Sequence, residues 1–146
     1  MSSEKIKKVG FTCSSFDLFH AGHVEMLRDA KSQCDYLIVG LQTDPTIDRP
    51  EKNKPIQSVS ERYIQVRACC YVDEVIPYTT EDELLELMKL VNPNVRILGD
   101  EYRHKNFTGK DFCLDNDVQI YYNKRMHKYS SSELRNRISE NNETKR

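Results

Sequence analysis

Apolar positions along this chain switch repeatedly between two periods. "VGFTCSS" (9–15) and "YLIVGLQ" (36–42) are apolar-leaning runs of strand length. The second is continuous enough to be covered on both faces. Between them, residues 21–33 bring Val24, Leu27 and Ala30 to one helical face. Three later helix starts carry a capping box, Ser58 with Glu61, Thr80 with Glu83 and Ser130 with Glu133. These predict a helix from Ser58 to about Cys70, a second over "EDELLELMKLV" that Asn92-Pro93 stops, and a last one over "SSELRNRIS". Short strands fall between and after them, at "EVIPY" (74–78), "VRILG" (95–99) and "VQIYYN" (118–123).

Strand and helix in regular alternation imply an α/β protein, a Rossmann-like, doubly wound, five-stranded parallel sheet with helices on both faces. One such domain accounts for residues 1–140, with a polar tail over 141–146. Sheets of this kind bind ligands at the carboxyl ends of their strands, near the point where strand order reverses. "SFDLFHAGH" (15–23) falls at that mouth, because it leaves the first strand and enters the first helix. "TDPTIDRPEKNKP" (43–55), with three prolines, is too long for a bare turn and reads as a functional loop.

Composition narrows the partners. The 146 residues are 31% charged and 38% hydrophobic, with a formal net charge of -1. No overall field draws nucleic acid or an anionic membrane, so an anion site has to be built locally. No segment approaches a membrane span, and "MSSEKIKK" lacks the apolar run of a signal peptide. The five cysteines, at 13, 34, 69, 70 and 113, are odd in number and show no metal-ligand spacing. That implies free thiols in a reducing, cytoplasmic compartment and no metal held by side chains alone.

The histidine pair is the most suggestive chemistry. His20 and His23 flank Ala21 and Gly22 just where a helix begins. Gly22 allows close backbone approach, and a helix N-terminus cradles phosphate. Two imidazoles there can reach one phosphoryl group. The plainer alternative is that His20 only caps the helix and His23 is a satisfied surface residue.

"FDLFHAGHVEMLRDAK" resembles the HxGH signature of the cytidylyltransferase-like nucleotidyltransferases, and is most similar to the small glycerol-3-phosphate cytidylyltransferases. The likeness continues, in order, through "CYVDEVIPY", "ILGDEY" and "RMHKYSSSELRNRI", spanning roughly residues 9 to 138. The resemblance implies an enzyme that moves CMP from CTP to a small, glycerol-3-phosphate-like phosphomonoester and releases pyrophosphate. It implies Mg2+ accompanying the triphosphate, small-molecule substrates only, and a homodimer.

It also implies roles residue by residue. His20 and His23 would hold the α- and β-phosphates, Arg125 would grip the β- and γ-phosphates, and Lys54 would approach them from the proline-rich loop. Ser130 and Ser131 would add donors while capping the last helix. Ser15, Phe16, Asp17, Gly22 and Asp100 would lie against the nucleotide, although Asp17 can equally cap the turn that follows it. Lys52 and Arg62 would serve the acceptor side, Arg62 by holding the acceptor phosphate or nearby structure.

Two departures bear on specificity. Cys70 stands where choline-, ethanolamine- and glycerol-phosphate relatives read Arg, and Glu101 where glycerol-phosphate enzymes tend to carry a second Asp. Adenylyltransferases of the heptose-phosphate type also lack that Arg. An enzyme using ATP on a sugar phosphate therefore stays open, as does a phosphate-binding module without catalysis. "YRHKNFTGKDF" (102–112) either closes over the acceptor or is a solvated loop.

Overall fold

The computed structural model describes residues 7–124 and 128–144, so the phosphate role expected of Arg125 lies outside the described residues. The element order is β1 (Val9–Ser14), α1 (Ala21–Lys31), β2 (Tyr36–Gln42), α2 (Val59–Arg67), β3 (Glu74–Tyr78), α3 (Glu81–Val91), β4 (Val95–Leu98), α4 (Lys110–Asp115), β5 (Gln119–Tyr122) and α5 (Ser131–Thr144). A 3₁₀ turn, Asp100–His104, follows β4.

All five strands run parallel, in the order β3-β2-β1-β4-β5. Strand order reverses between β1 and β4, where Gly10 pairs with Val95 and Phe11 with Arg96. The period-2 alternation of β2 divides the core. Leu37, Val39 and Leu41 join Leu27 and Ala30 of α1 and Val66 of α2 on one face. Ile38 joins Phe11, Tyr78, Cys113 and the α3 residues Leu84, Leu87 and Met88 on the other.

The expected caps close. Ser58 and Glu61, and Thr80 and Glu83, form reciprocal capping boxes, and Ser130 Oγ accepts from the Glu133 amide at 3.1 Å. Asn92, at φ 45, ends α3 in the left-handed region.

Two segments differ from the expectation. Residues 102–112 are not one loop, because α4 starts within them. Gly109, at φ +90, turns the chain, and α4 then drives Cys113 into the core. Six residues carry too short a period to be read from sequence. At the other end, α5 runs on to Thr144, through residues expected to form a tail. Its last turns are polar but hold no helix breaker, so a capped start is enough to carry the helix forward.

Candidate active site

β1 ends in a sharp turn that aims the histidines. Phe16 and Leu18 have φ of 49° and 53°, a region that costs a non-glycine residue on the order of 1–3 kcal/mol. The turn is held by burial and hydrogen bonds. Phe16 is fully buried, and the Leu18 amide donates to Gln57 Oε1 at 2.9 Å.

His20 then caps α1. Its Nδ1 accepts from the Gly22 amide at 2.9 Å, while His23 Nδ1 accepts from the His20 amide at 3.2 Å. A backbone amide can only donate, so both Nδ1 atoms are bare and both rings carry their proton on Nε2. His20 Nε2 lies 3.1 Å from Ser131 Oγ at the start of α5.

The two rings stack with centroids 3.9 Å apart, and His23 sits edge-on to Phe16 at 5.4 Å. Burial, reinforced by His20 and opposed by Asp17, lowers the His23 pKa to about 4. His23 is therefore a neutral, oriented N–H donor at physiological pH. Gly22 serves a close approach as well: a Cβ there would stand 2.9 Å from the Tyr129 carbonyl and 2.7 Å from His20 Cε1.

His23 and Ser131 border a cleft of about 790 Å³ over the carboxyl ends of the strands, well within the range of small-molecule sites. His20 is not among its lining residues and meets it through Ser131. Ser15, Asp17, His23, Ser131 and Arg135 line one part of it; Arg96, Tyr78, Leu84, Phe107 and Thr108 line another. Asp17 has both carboxylate oxygens engaged, accepting from the Ile56 and Gln57 amides at 2.9 and 3.0 Å and pairing with Arg135 at 3.5 Å. It fastens the end of the proline-rich loop beside the histidines. Within that loop, Lys52 lines the cleft, whereas Lys54 is exposed and does not.

Arg62 lies beneath the site. It is 1% exposed and spends its guanidinium on the carbonyls of Gln57, Ser15, Gln42 and Thr43, at 3.1, 2.9, 2.7 and 2.6 Å. This arginine ties the ends of β1 and β2 to the loop and does not line the cleft, so of its two expected roles it holds nearby structure and not the acceptor phosphate. Asp100 is exposed, pairs with Arg103 at 2.9 Å and stays off the cleft wall. Its neighbours Gly99, Glu101 and Tyr102 line it instead. Cys70 is exposed at the amino end of β3, opposite the mouth, so its difference from the relatives does not face a ligand here. Of residues 102–112, Tyr102, Asn106, Phe107 and Thr108 reach the cleft, while Arg103, His104 and Lys105 are exposed.

Sequence reasoning missed Arg96, Arg135 and Asn123. Arg96 had a signal, a charge inside the short apolar strand "VRIL"; Arg135 lies four residues, one helical turn, beyond Ser131. Asn123 is buried, and its Nδ2 donates to Asp29 Oδ2 at 3.0 Å. Its Oδ1, without a partner among the described residues, belongs to a cleft-lining side chain. Nothing local in the sequence marks it. Among the described residues there is no cluster of three or more His, Cys, Asp or Glu able to hold a metal, and no helix long and apolar enough to cross a membrane.

The profile of the family described as cytidylyltransferase-like matches residues 11–137. A protein of Encephalitozoon cuniculi named "Probable ethanolamine-phosphate cytidylyltransferase" is 34% identical over 97% of this chain and 43% of its own length. The "Bifunctional protein HldE" of Caulobacter vibrioides is 40% identical over 73% of this chain and 22% of its own. The chain thus spans less than half the length of either relative. A crystal structure of a lipopolysaccharide core biosynthesis protein from Thermoplasma volcanium shares the fold. It has a TM-score of 0.66 and 24% identity, covering 85% of this chain and 99% of that one.

Proposed function

The chain belongs to the cytidylyltransferase-like family, and from that premise we propose that it transfers CMP from CTP to a small phosphomonoester and releases pyrophosphate. An acceptor phosphate oxygen attacks the α-phosphorus; the bond to the bridging oxygen breaks, and pyrophosphate leaves with the electron pair. The nucleophile is already an anion, so no base has to take a proton. Catalysis reduces to alignment and to donors aimed at developing charge.

One observation carries this reading. Both histidines have Nδ1 tied to backbone amides, so each ring carries its proton on Nε2; that of His20 meets Ser131 at the start of α5, and His23 lines the cleft. Fixed neutral donors suit a charge that moves between oxygens, since they need no reorganisation during the reaction. Arg135 and Lys52, both on the cleft wall, supply cations for the rest of the triphosphate. Magnesium would accompany the nucleotide as its counter-ion and help neutralise the triphosphate. Asn123 Oδ1, oriented by the Asn123–Asp29 bond, would accept from the exocyclic amine of a base. Cytosine and adenine carry that amine at this edge, and uracil does not. Preference for CTP over ATP rests on the relatives.

The test is pyrophosphate release with each of the four nucleoside triphosphates, magnesium and a panel of phosphomonoesters. CTP should be used best, ATP next, and UTP poorly. Strong preference for ATP would favour adenylyl transfer. No acceptor-dependent release with any nucleotide would leave a binding module.

A further inference from the structure

The chain buries two arginines in opposite ways. Arg62 is 1% exposed and saturated by four backbone carbonyls. Arg96 is 3% exposed, yet the only hydrogen bond it makes among the described residues runs from Nη1 to Cys13 Sγ at 3.3 Å. Among the described residues its buried Nε has no partner and no ion pair includes it. What surrounds it is aromatic: the guanidinium carbon lies 5.4 Å from the Phe11 ring centroid and 5.9 Å from that of Phe107.

Cation–π contacts ease the burial of a charge but leave its N–H groups unspent. A buried guanidinium without an anion is costly, and an apolar residue in its place is commonly neutral or stabilising. Structure alone therefore gives no reason for Arg96, while its place on the wall of the cleft does.

The face it occupies says which part of a substrate it meets. His23 and Ser131 stand at the α1 and α5 side of the cleft. Arg96 belongs to the opposite face, among Phe11, Tyr78 and Leu84, with Thr108 also on the wall. If the reacting phosphates lie at the histidines, the remote end of the acceptor extends towards Arg96. We propose that Arg96 is a specificity-determining anchor for a second anionic group on the acceptor, a carboxylate or phosphate borne at the end away from the reacting phosphate. This rests on the nucleotidyl-transfer reading for its assignment to the acceptor. It also sets this chain against acceptors that end in an ammonium group, which would meet the guanidinium as a like charge.

Calorimetric titration of the full chain decides it without needing turnover. The probes are CTP, glycerol 3-phosphate, 3-phosphoglycerate, 1,3-propanediol bisphosphate and ethanolamine phosphate, each with wild type, Arg96→Met and Arg96→Lys. Wild type should bind 3-phosphoglycerate or the bisphosphate about ten- to a hundredfold more tightly than glycerol 3-phosphate, and ethanolamine phosphate least. Whichever of the two anionic probes is tighter identifies carboxylate or phosphate as the preferred group. Arg96→Met should erase the preference, leave CTP affinity unchanged and melt at or above the wild-type temperature. Arg96→Lys should recover only part of the preference, because the planar fork is lost. Equal binding of the charged and neutral probes, a preference that survives in Arg96→Met, or a loss confined to CTP would each overturn the proposal. If wild type binds no nucleoside triphosphate, the nucleotidyl-transfer reading fails on its own, and the anion preference still judges the site.

Discussion

At the scale of single residues, histidine 20 has two tasks that one substitution can separate. Its Nδ1 caps α1 through the Gly22 amide, and its Nε2–H meets Ser131 Oγ, where the proposed reaction would bring a phosphate. Asn is among the best N-cap residues and can accept from the same amide, but it has no group where Nε2 lies. His20→Asn should therefore keep the melting temperature within a few degrees and lower kcat about a hundredfold or more, as loss of an oxyanion donor does. His20→Ala should lose both, with stability falling by about 1 kcal/mol. Equal kcat for His20→Asn and wild type would assign His20 to capping alone. The histidine pair was legible because its chemistry is local, three residues apart at a strand-to-helix junction. The two buried arginines were not. Arg62 and Arg96 look alike in sequence, and what distinguishes them are the carbonyls of residues 15, 42, 43 and 57 around one and the rings of residues 11 and 107 around the other.

At the scale of elements, the site is a joint between the start of α1 and the segment that leads into α5. Gly22 makes the joint possible, since the Tyr129 carbonyl approaches where a side chain would begin. Gly22→Ala should favour α1 slightly on intrinsic propensity. The added Cβ, 2.9 Å from that carbonyl, must push the 128–131 segment away or turn the His20 ring. Displacing donors by a fraction of an ångström to an ångström costs about ten- to a hundredfold in kcat/KM. Far-UV circular dichroism should stay unchanged. Full activity in Gly22→Ala would show that the joint yields without consequence. Capping boxes made α2, α3 and α5 legible, because each is a short pattern of three residues' spacing. The 3₁₀ turn and α4 were hidden, since they are too short for a period, and α4 is shaped by the fit of Phe112 and Cys113 against the core.

At the scale of the whole molecule, strand alternation announced a doubly wound sheet, but pairing β1 with β4 brings together residues more than eighty positions apart, which periodicity cannot specify. That pairing creates the cleft, and the cleft wall buries His23, so the fold's stability is tied to one ring's charge. The His23 pKa is about 4 in the folded chain against an ordinary 6.5. Between those values the unfolded chain holds a proton that the folded chain does not, so stability falls as pH drops from about 6.5 towards 4. Above 6.5 neither state is protonated, and the contribution is fully present. The gap corresponds to something on the order of 3 kcal/mol, or about 10 °C of melting temperature for a chain of this size. His23→Gln isolates the effect, because Gln at this position can still complete the cap by accepting from the His20 amide and does not titrate. Denaturation followed from pH 7.5 to 4.5 should show wild type losing stability more steeply than His23→Gln, by close to one proton's worth per pH unit at mid-range. Pyrophosphate should lessen the slope in wild type, since an anion beside the ring favours its protonated form. Parallel curves for the two proteins would show that His23 gains no proton on unfolding, and the neutral-donor account of the site would go with it.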